Sequence, residues 1–255
     1  MTNSKRASYL PPSGESKGAP FQTYNGGKEA DGTFQKIINL IPPHDLYIEP
    51  FLGNGAIFRH KKKADWSIGI DMDTSVIESW QKMPFSKRPD LINADAITWL
   101  EHFAPIASFL HYYQRPTFIY LDPPYPKDTR KNGKDLYRHE MDIKQHEKLL
   151  SVIRPLELVC SVMVSSYPNE LYDEALAGWH TTTFQSQTRH GMATEKLWMN
   201  YPAPTELHDY RYLGDDYRER ERIKGIICRN AAKLKRMPAA ERNAFINHLK
   251  NEKLI

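Results

Sequence analysis

Four consecutive residues, Asp122-Pro123-Pro124-Tyr125, carry the most chemistry in this 255-residue chain. They follow the apolar, β-prone run Thr-Phe-Ile-Tyr-Leu at 117–121, so they fall just past the carboxyl end of a strand. Two prolines stiffen the backbone there and donate no hydrogen bond, which holds one carboxylate and one aromatic ring in a fixed relation. The lone pair of an exocyclic amine on a nucleobase is delocalised into the ring. A carboxylate that accepts one N–H of that amine, helped by a proline carbonyl, favours tetrahedral nitrogen, which can then attack an electrophilic methyl in line. An aromatic face beside it can stack on a base that has left the duplex.

A second group is Glu49-Pro50-Phe51-Leu52-Gly53-Asn54-Gly55, placed between an expected strand at 45–49 and an expected helix at 56–63. Gly53 and Gly55 permit a sharp turn and close approach of a ligand to the backbone. Asp71 ends the next expected strand, where a carboxylate can hydrogen-bond ribose hydroxyls. The alternative for Asp71, capping the following helix, suits Asp73 better. Ala56-Ile57-Phe58 stands where a dinucleotide loop has its third glycine, so a nucleoside without a pyrophosphate is the better fit. Asp95 admits two readings, a ligand contact after a strand and the cap of a helix over 97–103.

The elements needed to position these groups alternate. Helices are expected at 31–40, 56–63, 74–82, 142–153 and 167–176. Strands are expected at 45–49, 67–71, 91–93, 117–121 and 158–165, with a closing hairpin from 179–184 and 195–201. Alternation of this kind is that of a doubly wound α/β sheet. His146 lies on an amphipathic helix and reads as structural.

The order of these motifs resembles that of the Dam-like (alpha-group) DNA adenine-N6 methyltransferases of phages and bacteria, over roughly 24–201. The resemblance implies a Rossmann-like methyltransferase fold with a seven-stranded, mostly parallel sheet flanked by helices, and S-adenosyl-L-methionine as cofactor. It implies transfer of a methyl group to N6 of a flipped adenine, with Asp122, Pro123, Pro124 and Tyr125 as the catalytic group. In Tyr24-Asn25-Gly26-Gly27-Lys28, the resemblance gives Tyr24 and Lys28 the methionine end of the cofactor. Glu49, Pro50, Phe51, Gly53 and Gly55 then lie against the cofactor, Asp71 at its ribose and Asp95 near its adenine amino group. Asp rather than Ser at the head of the tetrapeptide favours adenine over cytosine N4. RNA adenine, cytosine N4 and a non-catalytic DNA-binding relative remain as alternatives.

The partner implied is double-stranded DNA, single-stranded DNA also being admissible. Lys127, Arg130, Lys131, Lys134 and Arg138 follow the tetrapeptide and can neutralise phosphates beside the flipped base. Ser166 and Tyr167 match the segment that lines the base pocket, and Arg189 sits on a loop that can reach DNA. Only 96–116 separates the Asp95 segment from the tetrapeptide strand, too short for an independent recognition domain, so relaxed or short-site specificity is expected.

Composition sets outer limits. There are 35 Lys+Arg against 31 Asp+Glu, a mild basic excess that permits nucleic-acid binding without demanding it. The two cysteines have no metal-ligand spacing, so neither a disulfide framework nor a structural metal is expected. With neither a membrane-spanning run nor an apolar leader, a cytoplasmic monomer or weak dimer is the expectation. Three segments are expected: a flexible arm at 1–20, the methyltransferase domain at 21–204, and a basic helical segment at 205–255. In the last, helices are expected at 215–236 and 239–250, the first with Arg218, Arg222, Arg229, Lys233 and Arg236 on one face.

Overall fold

The structure, a computed structural model, describes residues 27–29, 32–85, 88–130, 138–188 and 191–254. Seven strands form one sheet: β1 Leu46–Glu49, β2 Trp66–Asp71, β3 Asp90–Asn93, β4 Thr117–Leu121, β5 Ser161–Ser166, β6 His180–Thr188 and β7 Gly191–Met199. Their spatial order is β3-β2-β1-β4-β5-β7-β6. The first five pair in parallel, and β7 enters antiparallel between β5 and β6. This is the seven-stranded, mostly parallel, Rossmann-like sheet expected for the methyltransferase fold. The order reverses at β1/β4, so the loops after these two strands open onto the same crevice.

Strand β4 shows why the centre of the sheet reads as unbroken apolar sequence. Phe118 and Tyr120 point into one core layer with Ile37, Ile38, Tyr47, Met163 and Leu197. Ile119 and Leu121 point into the other, with Ile48, Leu100, Phe103, Leu149 and Ile153. Both faces are covered, so the period-two alternation becomes a continuous hydrophobic run. The helices that cover them are α1 Thr33–Ile38, α2 Ala56–His60, α3 Thr74–Gln81, α4 Ala96–Tyr112, α5 Ile143–Leu156 and α6 Glu170–Ala175. Side-chain caps fix the starts of α3, α4 and α5: Asp73 accepts from Ser75 N at 2.9 Å, Asp95 from Thr98 N at 2.8 Å, and Asp142 forms a capping box with Gln145.

Several elements differ from expectation: the closing hairpin is longer toward its turn, with strands at His180–Thr188 and Gly191–Met199, and α2 stops at His60. The strand expected at 158–165 begins at Ser161, because α5 runs on to Leu156 and its carboxyl end turns through Glu157 N–Ile153 O and Cys160 N–Leu156 O bonds. Leu158, 77% exposed, sits on that turn. The helix expected to stop at 103 continues through Pro105 to Tyr112 and buries Ala96, Ile97, Leu100, Phe103 and Ala107. The stretch between Asp95 and β4 is therefore largely a core helix.

The chain divides into two compact units, one of residues 14–212 holding the sheet and one containing residues 213–255. Residues after Pro204 still belong to the first. His208 N donates to Ile41 O, Arg211 donates to His60 O, and Asn39 donates to Tyr212 O. The second holds α7 Tyr217–Arg236, capped by Asp216, and α8 Ala239–Asn251. No described residue of either helix is buried. Among the described residues no helix is long and apolar enough to cross a membrane.

Candidate active site

The loop after β1 turns at Gly53 (φ 44°) and Gly55 (φ 55°), both in the left-handed region where a side chain is strained. Asp71, at the end of β2, accepts from Gly53 N at 2.8 Å and from Asp73 N at 2.9 Å. Trp80 of α3 donates its indole N–H to Gly53 O at 2.9 Å. A β-carbon on Gly55 would stand 2.3 Å from the Trp80 ring, so this glycine makes room for tryptophan. Sequence reasoning takes Gly55 as a ligand approach and misses Trp80. The loop is thus a rigid cradle held from both sides. Burial raises the Asp71 carboxyl above its usual value, opposed by the two backbone N–H groups it accepts.

The tetrapeptide leaves β4 beside this cradle. A cleft of about 470 Å³ is lined by Glu49, Pro50, Phe51, Gly53, Asn54, Gly55, Asp71, Asp95, Asp122 and Pro124 among others. Asp122 and the Gly53 backbone therefore share one cavity. Asp95 caps α4 through its Oδ1 and also lines the cleft, so the cap reading holds and leaves the residue on the cleft wall. Two buried polar atoms of lining residues, the Tyr120 hydroxyl and Asn54 Oδ1, have no hydrogen-bond partner among the described residues. Water or the polar groups of a ligand can satisfy such atoms.

Behind the cleft lies a buried polar cluster. Lys28, 6% exposed, donates to Asp122 Oδ1 at 2.8 Å, to Asp122 Oδ2 at 2.9 Å and to the Tyr125 hydroxyl at 2.6 Å. Its ammonium is also 3.1 Å from Glu195 Oε1. Tyr125 donates its hydroxyl proton to Glu195, and Ser165 donates to the same oxygen at 3.0 Å. Burial alone would lower the Lys28 pKa, but Asp122 and Glu195 overcome this and hold it well above the usual lysine value. Burial lifts the Asp122 carboxyl, against the pull of Lys28 and with a further push from Glu195. Glu49 accepts from Tyr47 at 2.6 Å, and burial raises its carboxyl to about 8.

These contacts revise several expectations. The Lys28 ammonium stands on the tetrapeptide carboxylate rather than being turned out toward a ligand carboxylate, because Asp122 and Glu195 are its nearest counter-charges. The Tyr125 ring is buried, edge-on to Tyr167 with centroids 4.7 Å apart, so it presents no open stacking face. Its hydroxyl is what anchors it there. Arg130, expected at a phosphate, is buried; it pairs with Glu140 at 2.6 Å and donates to the Tyr125 carbonyl, bracing the tetrapeptide loop. Lys127 is exposed. Arg138 is exposed and pairs with Asp73 at 2.9 Å while lining the cleft. Ser166 is fully buried beside Tyr167 in the chain, its hydroxyl without a partner among the described residues. Pro123 is buried. Tyr24, Lys131, Lys134 and Arg189 lie outside the described residues. His146 is structural, its Nδ1 2.9 Å from the Tyr172 hydroxyl.

Glu195 is the site residue that sequence reasoning does not find. It has a signal: on β7 it shares a period-two face with Leu197 and Met199, both in the core, so a carboxylate there is a buried charge needing a partner.

No family model matches the chain, and no curated protein does. Among solved structures, it is similar to precorrin 8w decarboxylase from Methanobacterium thermoautotrophicum, at 13% identity over 69% of this chain and 92% of that one, with a TM-score of 0.41. It is similar to an rRNA methylase from Streptococcus thermophilus at 10% identity, over 68% and 97%, with a TM-score of 0.41. A third likeness is to magnesium protoporphyrin IX methyltransferase from Synechocystis with bound SAM, at 11% identity over 66% and 75%, with a TM-score of 0.38. The fold of this chain is set by its own sheet order, independently of these likenesses.

Proposed function

We propose that the protein is a DNA adenine-N6 methyltransferase that uses S-adenosyl-L-methionine. The observation that carries this reading is that the Asp122 carboxylate and the Gly53 loop face one cleft at the switch point of the sheet. The residues present suit a nucleoside-bearing cofactor. Phe51 and the Gly53 turn form a wall, Asp71 and Asp95 offer carboxylates at the ends of β2 and β3, and the Tyr120 and Asn54 polar atoms await partners. When bound, the cofactor supplies a methyl group on a positively charged sulfur.

The chain's own residues do the rest. Asp122, ionised and held by Lys28, accepts one N–H of the adenine amine, and the Pro123 carbonyl accepts the other. This localises the nitrogen lone pair for attack: the N–C bond would form as the S–C bond to the methyl breaks, leaving a neutral thioether, and the surplus amine proton would then pass to solvent. The enzyme's contribution is orientation and a prearranged acceptor. The target base must leave the duplex to reach Asp122. With its ring covered by Tyr167, Tyr125 supports the site through its hydroxyl, and a stacking role requires that ring to be uncovered as the base enters. Exposed Lys127 and Arg138 are the described residues best placed to meet phosphate.

The test is transfer of isotope-labelled methyl from S-adenosylmethionine to DNA and, separately, to RNA, with identification of the modified nucleoside. N6-methyladenine in DNA is expected. Asp122→Ala should lose about 10²–10⁴ of the rate while still binding the cofactor. Label found only in RNA or only on cytosine, or an Asp122→Ala enzyme within about tenfold of the parent, would refute the reading.

A further inference from the structure

Among the described residues, the polar cluster behind Asp122 sets more acceptors around the Lys28 ammonium than its protons can serve. Lys28 has three N–H donors. Facing them are both oxygens of Asp122, the Tyr125 hydroxyl and Glu195 Oε1, all at 2.6–3.1 Å. Asp122 therefore does not receive two full hydrogen bonds from Lys28 while Tyr125 and Glu195 are also served. Glu195 is itself fixed, accepting from Tyr125 and from Ser165 of β5 as well as facing Lys28.

We propose that Glu195 is a positioning residue for methyl transfer: by sharing Lys28 with Asp122, it holds Asp122 in one orientation and leaves part of its acceptor capacity open toward the cleft. The inference rests on the reading of Asp122 as the acceptor of the substrate amine. Glu195 acts through Lys28. With Glu195 absent, the ammonium would close fully onto Asp122 and compete with the amine. With Lys28 absent, two carboxylates would face each other in a buried site, and Asp122 would take up a proton and lose its acceptor character.

The electrostatics around Asp122 agree with this arrangement. Among the described residues, the groups facing it are Lys28 from the amino-terminal segment, Glu195 from β7, Tyr125 from its own loop, Tyr120 from β4 and Glu49 from β1. Arg138, His139 and Glu140 line the same cleft. Of these groups Lys28 and the Tyr125 hydroxyl favour the ionised carboxylate and Glu195 opposes it.

The experiment is a titration of the Asp122 carboxyl by carbon NMR on aspartate-labelled full-length protein, the signal being assigned by its loss in Asp122→Asn. Single-turnover methylation against pH is measured on the same variants. Glu195→Gln should move the Asp122 titration and the acid limb of the rate to lower pH, and lower the rate on the alkaline plateau without changing cofactor affinity. Lys28→Met should move both to higher pH. A Glu195 that acts only by its charge or by packing would shift the titration or the melting temperature and leave the alkaline-plateau rate of the folded enzyme at the parent value. An unmoved or upward titration in Glu195→Gln, or a plateau rate equal to the parent's, overturns the proposal. If Glu195→Gln does not fold, Ser165→Ala carries the test: it removes one donor from Glu195, which then draws harder on Lys28, and the Asp122 titration rises. An unmoved titration in Ser165→Ala overturns it equally. Failure of the wild-type protein to methylate any nucleic acid would instead defeat the proposed function, while the titrations still read the Glu195–Lys28–Asp122 arrangement.

Discussion

Gly55→Ala is the perturbation whose effect can be worked most directly from the structure. Two penalties fall on one methyl group. Gly55 has φ 55°, and a non-glycine residue in that region costs about 1–2 kcal/mol. Its β-carbon would lie 2.3 Å and 2.8 Å from two ring carbons of Trp80, which is fully buried against Leu52, Val76 and Ile77. Tryptophan is a rigid plate that cannot yield as the tip of a flexible chain can, and overpacking of this kind costs about 1–3 kcal/mol. The sum is about 2–5 kcal/mol, a large part of a native stability of roughly 5–15 kcal/mol. Urea or thermal unfolding with a two-state fit on the sheet unit measures it, and a fall in melting temperature of roughly 10 °C is expected. Two controls separate the causes. Gly178 has φ 90° with nothing within 4 Å of where a β-carbon would stand, so Gly178→Ala carries the conformational penalty alone. Gly69 has no positive φ, and its β-carbon would meet the end of Leu52 at 2.8 Å, so Gly69→Ala carries a yielding contact alone. Since Trp80 also holds the Gly53 carbonyl at 2.9 Å, displacing it should weaken S-adenosylmethionine binding about tenfold by calorimetry. A Gly55→Ala protein that loses no more stability than Gly178→Ala refutes the reasoning, because the Trp80 clash would then contribute nothing.

Other outcomes rest on the same contacts. His44, stacked on His208 at 3.8 Å, is held neutral by burial, its pKa lowered to about 2 from 6.5. A lowered imidazole pKa gives stability that is present above 6.5 and lost as pH falls, so the protein should lose about 2 kcal/mol from this group between about pH 6.5 and 5, and His44→Phe should flatten that slope in urea titrations. Glu49 has the opposite sign: its carboxyl is raised from 4.5 to about 8, so its contribution is present below 4.5 and lost as pH rises toward 8, and Glu49→Gln should be relatively more stable than the parent at about pH 8 than at about pH 5. Arg130→Met should cost about 3–5 kcal/mol by stranding Glu140, with no change in the salt dependence of DNA binding once corrected for folded fraction. Arg138→Ala should do the reverse, leaving stability within about 0.5 kcal/mol and reducing the slope of log affinity against log salt by about 1.

Much of the scaffold is legible because its signals are local. Strand β4 reads at its true bounds from five consecutive residues and the prolines that follow. The starts of α3 and α5 are marked by Asp73 and Asp142, whose capping depends only on the next three residues. Termination is what the sequence hides. Pro105 inside α4 and Pro155 inside α5 are local stop signals that packing against the sheet overrides, since the residues beyond them still contribute buried side chains such as Ala107 and Leu156. Arg130 misleads for a different reason. A run of basic residues looks solvated from sequence, and only the approach of Glu140, ten residues later, turns one of its members inward.

The polar side of the site is the least legible part, and the topology explains why. Lys28 and Asp122 are 94 residues apart, and Tyr125 and Glu195 are 70 apart. They meet because β7 is inserted antiparallel between β5 and β6, with Ser166 opposite Lys196. That register sets Glu195 just beyond the carboxyl end of β5, next to the loop that β4 releases. A shift of one residue would turn Glu195 to the other face and bring Lys196 or Thr194 inward, leaving Lys28 with Asp122 alone. The charge balance of the site is therefore a property of strand register, and motifs that look self-sufficient in sequence depend on it. Asp122-Pro123-Pro124-Tyr125 specifies where an acceptor stands; the hairpin that ends the sheet determines how strongly Lys28 holds it.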